Sequence, residues 1–133
     1  MDISLHTGSA VALWASLNLF LMLILSGLVV RQRRRHRIAV GDGGIPELAR
    51  ALRAFGNASE YVPAGIAALA VLSIAGADQS VIHVVGAALF LGRLIHAVGL
   101  SLSLGPSLSR TIGMLLTWLA ILIAAAALLM YAI

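Results

Sequence analysis

Arg53-Ala-Phe-Gly-Asn57-Ala-Ser-Glu60-Tyr61-Val-Pro63 puts a guanidinium, an amide, a carboxylate and a phenol into about three helical turns, just where the chain becomes apolar enough to enter a bilayer. At 100° per residue, Arg50, Arg53, Asn57, Glu60 and Tyr61 fall within an arc of roughly 100°, so one face of one helix carries nearly all the polar chemistry around it. The set holds more positive than negative charge and suits an anionic ligand. A guanidinium grips a carboxylate in bidentate fashion, Glu60 could receive an ammonium group, and Asn57 and Tyr61 supply directional hydrogen bonds. A ligand with two carboxylates and one amine would satisfy all of them.

A second polar face follows at Arg93, His96, Leu100 and Ser103, whose offsets of three, seven and ten keep them on one side of a helix. Glu60 and Arg93 both sit deep by residue count, where an unpaired charge is expensive, so the two are expected to meet as an ion pair. Two readings stay open. The pair could fix helix register alone, or it could belong to a ligand site, which intramembrane ionisable groups mark by default. His96 reads equally well as a ligand contact or as a hydrogen-bonded packing residue.

The elements that must position these groups are set by composition. Of 133 residues, 61% are hydrophobic and 11% charged, the balance of a protein dissolved in lipid. All nine basic residues are arginine and five lie between Arg31 and Arg37, so the positive charge describes one loop and gives no reason to expect nucleic acid. Without cysteine the chain has no disulfide, thiolate nucleophile or thiolate metal site of its own. His6, His36, His83 and His96 are scattered in depth and side, which argues against a metal centre. Trp14, Trp118 and Tyr131 read as packing or interface aromatics. The arginines follow the first apolar run, so a cleaved signal peptide is a poor fit and the first segment is expected to remain.

Four spans are expected, at about 9–30, 47–77, 81–104 and 109–132, folding as one all-α four-helix membrane bundle over residues 1–133. Gly41-Asp-Gly-Gly44 turns the chain after the first span, and Pro46 begins the next helix. Gly76-Ala-Asp-Gln79 and Gly105-Pro-Ser107 make the other connections. Arginine placement puts loops 31–45 and 105–109 in the cytoplasm and both termini on the opposite side. Small residues such as Ala64-Gly65 and Ala124 to Ala127 allow close helix approach.

Arg53-x-x-x-Asn57-x-x-Glu60-Tyr61-x-Pro63 resembles the second-helix signature of the MAPEG family, the membrane-associated proteins of eicosanoid and glutathione metabolism. Gly92-Arg93-Leu-Ile-His96-Ala-Val-Gly-Leu100, with Pro106 and Arg110 after it, is similar to the family's third helix and following loop. The likeness extends to the leukotriene C4 synthase, microsomal glutathione transferase and prostaglandin E synthase branches and covers the whole chain. It implies a homotrimer with glutathione between subunits and no metal. By that resemblance Arg53, Asn57, Glu60, Tyr61 and Arg93 hold glutathione and Arg110 stabilises the thiolate; Arg50, His96, Arg31 and Arg34 are further candidate contacts by position, although the arginine run is first a topology signal. The second substrate would be a hydrophobic electrophile or lipid hydroperoxide drawn from the membrane lipids. The family's departures here are Leu100, where several members have tyrosine, and the length from Pro106 to Arg110. A transferase or peroxidase of a bacterial inner membrane is the expected function. A non-catalytic lipid- or thiol-binding protein and a structural bundle with an intersubunit ion-pair network stay open beside it.

Overall fold

The computed structural model describes residues 3–133, with side chains from Thr7 onward; His6 lies outside the described side chains. Four helices follow one another: α1 Ile3–His36, α2 Pro46–Ile74, α3 Gln79–Leu102 and α4 Leu108–Ala132. Each is long and apolar enough to cross a membrane. α1 runs six residues past Val30, where the apolar run ends, because arginine is a good helix former and cations favour a helix C-terminus. The loop expected to start at Arg31 therefore starts after His36. There Arg37 takes a left-handed conformation (φ 56°), and Arg33 Nη1 donates to the carbonyls of Ala39 (3.1 Å) and Gly41 (3.0 Å), tying the turn back onto the helix.

Pro46 opens α2, where its missing N–H costs nothing, and Glu47 in the first turn lies 3.8 Å from Arg50. α3 begins at a cap: the Asp78 carboxylate accepts from Ser80 Oγ (2.6 Å) and Ser80 N (2.8 Å), which holds it below the usual carboxylate range. A carboxyl depressed by folding contributes stability above its unfolded pKa, and that contribution disappears as pH falls through the folded value. Asp78→Ala should thus lower thermal stability slightly at neutral pH and make no difference in strong acid, as read by unfolding in detergent at both pH values. Ser107 caps α4 by accepting from Arg110 N at 3.4 Å.

α2 and α3 form the centre of the bundle, α1 packs on both, and α4 packs chiefly on α3 and more lightly on α2. Toward the end where α1 begins, Leu69, Leu72, Ile82 and Val85 pack with Ala10 and Ala124. Toward the arginine end, Leu21, Leu25, Ala54, Val62 and Leu100 form a second cluster. Trp14 lies over Gly86, where a Cβ would strike its ring, and donates from Nε1 to His83 Nδ1 at 3.1 Å. The outer faces of α1 and α4 expose Phe20, Leu23, Leu115 and Leu122, as lipid-facing surfaces do.

Candidate functional site

A polar layer built around Arg93 adjoins the second apolar cluster, and on α2 its Asn57 and Tyr61 alternate with the buried Ala54, Ala58 and Val62. The Arg93 side chain is 1% exposed, the largest among the fully buried ones. Its Nε donates to Thr117 Oγ1 (2.8 Å), Nη1 to Asn57 Oδ1 (2.5 Å) and Nη2 more weakly to the Gly113 carbonyl (3.4 Å), while its guanidinium carbon stands 4.8 Å from the Tyr61 ring centroid. One cation thereby ties α2, α3 and α4 together, and the Tyr61 ring face offers it a favourable quadrupole. Thr117 Oγ1 in turn donates to the Gly113 carbonyl at 2.8 Å.

The ion pair expected between Glu60 and Arg93 does not form. Glu60 stays within electrostatic reach of Arg93, but the one salt bridge among the described residues is Arg50–Glu47. The reason is rotation about α2: Asn57 is half-buried and turned inward, whereas Glu60 and Arg53 lie on the exposed face. Neutral oxygens, not a carboxylate, partner the buried guanidinium. The second-helix signature thus splits into two layers. Arg53 and Glu60 stand outward, Asn57 and Tyr61 lie half-buried behind them, and Arg93 fixes those two from the interior. Arg50 is half-buried one turn before Arg53, and Arg31 and Arg34 are exposed in the last turns of α1, with no hydrogen bond or ion pair to this cluster among the described residues.

A second polar group gathers where α3 meets α4. His96 is 6% exposed and its Nδ1 lies 2.9 Å from the Arg110 carbonyl oxygen. A carbonyl only accepts, so Nδ1 carries the proton. The Arg110 side chain turns back, and its Nη1 donates to the carbonyls of Gly105 (2.6 Å) and Leu104 (2.8 Å), clasping the α3–α4 connection. Its Nε is buried without a partner. Both residues line an open cleft of about 550 Å³ whose wall grades from Ser107 and Thr111 to Met114, Leu115 and Trp118. Arg53 of α2 lies within electrostatic reach of His96 without lining the cleft.

Residues 11–130, nearly the whole chain and every side chain of both polar groups, match the MAPEG family. The chain belongs to the MAPEG family. It is 40% identical over 112 residues, 84% of each chain, to the inner membrane protein YecN of Escherichia coli strain K12, and equally to YecN of Escherichia coli O6:H1. With its four spans, this MAPEG chain is an integral, multi-spanning membrane protein. The likeness is to the family and to a bacterial inner-membrane protein. Leu100, where the resemblance implied a tyrosine in several members, is buried among Leu21, Leu25 and Ala97 and contributes packing. Among the described residues no three His, Asp or Glu side chains come together as metal ligands.

Thr117 and Gly113 are what sequence reasoning missed, together with the packing role of Gly92. A Cβ on Gly92 would stand 2.6 Å from Thr117 Oγ1 and 2.9 Å from the Gly113 carbonyl, so the glycines let α3 and α4 close onto Arg93. The signal was available in the stripe Gly113, Thr117, Ala120, Ala124, a small-residue pattern of the kind that seats one membrane helix against another.

Proposed function

We propose that this MAPEG protein binds glutathione along the exposed polar face of α2 and uses its thiolate on a hydrophobic electrophile or lipid hydroperoxide. The observation that carries the reading is the outward position of Arg53 and Glu60. Both are exposed in a helix that crosses the membrane, and neither forms a salt bridge among the described residues. A charge at the depth of Glu60 does not face lipid, so a second copy of the chain or a ligand is needed to cover it, and Arg53 lies on the same face nearer the membrane entry. A homotrimer with the ligand between subunits meets that need. The relatives' name supports an inner membrane as the location, and the arginine-rich end of α1 supports a cytoplasmic position for the first and third loops.

Glutathione supplies two carboxylates for Arg53 and for the neighbouring arginines Arg50, Arg31 and Arg34, and an ammonium for Glu60. Asn57 and Tyr61 give its amides fixed partners, because Arg93 holds both in place. Arg110 lines the cleft with a guanidinium whose buried Nε has no hydrogen-bond partner, and a guanidinium there suits a sulfur anion. Arg53→Ala and Glu60→Gln, tested by calorimetric titration of glutathione into protein in lipid nanodiscs, should each weaken binding about thirty-fold or more while cross-linking shows the oligomer intact. Loss of the oligomer with the ligand would instead make the face an ion-pair network between subunits.

The engagement of Arg110 Nη1 by two loop carbonyls favours a second reading, a binder without turnover. Arg110→Ala decides between them. A catalytic Arg110 predicts a fall in kcat of about a hundred-fold or more with glutathione affinity changed little, since the group acts on charge that develops at sulfur. If bound glutathione shows no ultraviolet thiolate absorbance in the wild-type protein, the non-catalytic reading holds.

A further inference from the structure

We infer that His96 is the base that takes the proton from the thiol bound in the α3–α4 cleft. This step rests on the thiol-binding reading above. The ring's tautomer is set by the fold: Nδ1 must donate to the Arg110 carbonyl at 2.9 Å, so in the neutral ring the lone pair is on Nε2. Gly113 of α4 packs directly against the His96 backbone, which holds this turn of α3 against α4, and the bond to the Arg110 carbonyl orients the ring. His96 and Arg110 line the same cleft, so the imidazole and the guanidinium belong to one site.

Elimination gives the same result. The charged groups that act on the ring are Arg93 on its own helix, Arg110 on α4 and Arg53 on α2, with none from α1. All three are guanidiniums, which do not give up their protons in proteins and so accept none. Ser107 and Thr111 offer the cleft only hydroxyls, and Glu60 does not line it. Among the cleft's side chains His96 alone has a vacant basic lone pair. In the step, the S–H proton passes to Nε2 and both electrons of that bond remain on sulfur, opposite the Arg110 guanidinium. The imidazolium then releases the proton to water at the cleft's open polar rim and the neutral tautomer returns. One proton leaves per thiol bound, and no oxidant or reductant is consumed.

A purely structural His96 would only hold the Arg110 carbonyl. His96→Asn separates the two roles, because the asparagine amide nitrogen can take the place of Nδ1 and keep that bond while removing the base. Wild-type and His96→Asn protein in nanodiscs would be mixed with glutathione in a stopped-flow instrument, following thiolate absorbance and proton release, with equilibrium binding of S-methylglutathione measured alongside. The expected result is S-methylglutathione affinity within about twofold of wild type and thiolate formation slowed by about a hundred-fold. In His96→Ala, added imidazole should restore part of the rate. A wild-type rate in His96→Asn overturns the assignment, as does equal loss of S-methylglutathione binding and rate, which would make His96 a packing residue. If the wild-type protein binds neither thiol nor thioether, the glutathione reading itself fails and this step with it; binding of both with an unchanged rate overturns the step alone.

Discussion

Arg93→Ala should destabilise the protein by about 2–5 kcal/mol, the range for truncating a large buried side chain to alanine. The guanidinium is 1% exposed and satisfies acceptors on two other helices, so alanine leaves a cavity and also strands the Asn57 carbonyl. Lysine would not repair it. An ammonium is a compact point charge on a flexible stem, and it cannot span Thr117 Oγ1, Asn57 Oδ1 and the Gly113 carbonyl as the planar fork does. Thermal unfolding in detergent reads the loss, and a double-mutant cycle identifies its source. Arg93→Ala and Asn57→Ala together should cost about 1–2 kcal/mol less than their sum, because each removes the same bond. Strict additivity would mean that the bond contributes nothing and that packing alone explains the loss.

That prediction also bears on why the site was only half legible in the sequence. Residue count locates depth along a helix, and by depth Glu60 and Arg93 were natural partners. Pairing depends equally on rotation, and the three residues from Asn57 to Glu60 are enough to carry one group inward and the other outward. Nothing in α2 alone says which side faces α3; the answer comes from Ala54, Ala58 and Val62, which are buried. The four helices were readable because each apolar run is long enough to span hydrocarbon. The end of α1 was not, because arginine marks the membrane boundary without breaking a helix. The Arg110 clasp had no sequence signature, since its partners are backbone carbonyls of Leu104 and Gly105. Thr117 escaped notice as a neutral residue in an apolar span, although a buried guanidinium needs such oxygens.

Gly113→Ala is expected to be more damaging than its one added methyl suggests. Alanine is the better helix former by about 1 kcal/mol, so propensity alone predicts a gain. The new Cβ, however, would stand 2.5 Å from the His96 backbone nitrogen, 2.6 Å from its Cβ and 2.7 Å from the Gly92 carbonyl. Two of these are backbone atoms that no rotamer change can move, so α3 and α4 must separate, at a cost of about 1–3 kcal/mol or more. Overpacking therefore wins. Gly56→Ala on α2 is the control: nothing lies within 4 Å of its added Cβ, and it should be neutral or stabilising by up to about 1 kcal/mol. The separation also lengthens the Arg93–Thr117 and His96–Arg110 bonds, which cross that helix contact. Gly113→Ala should thus lose thermal stability and, if glutathione is bound as proposed, thiolate absorbance as well, while Gly56→Ala keeps both. An alanine at 113 that left stability unchanged would show that α3 and α4 do not approach as closely as the buried arginine requires.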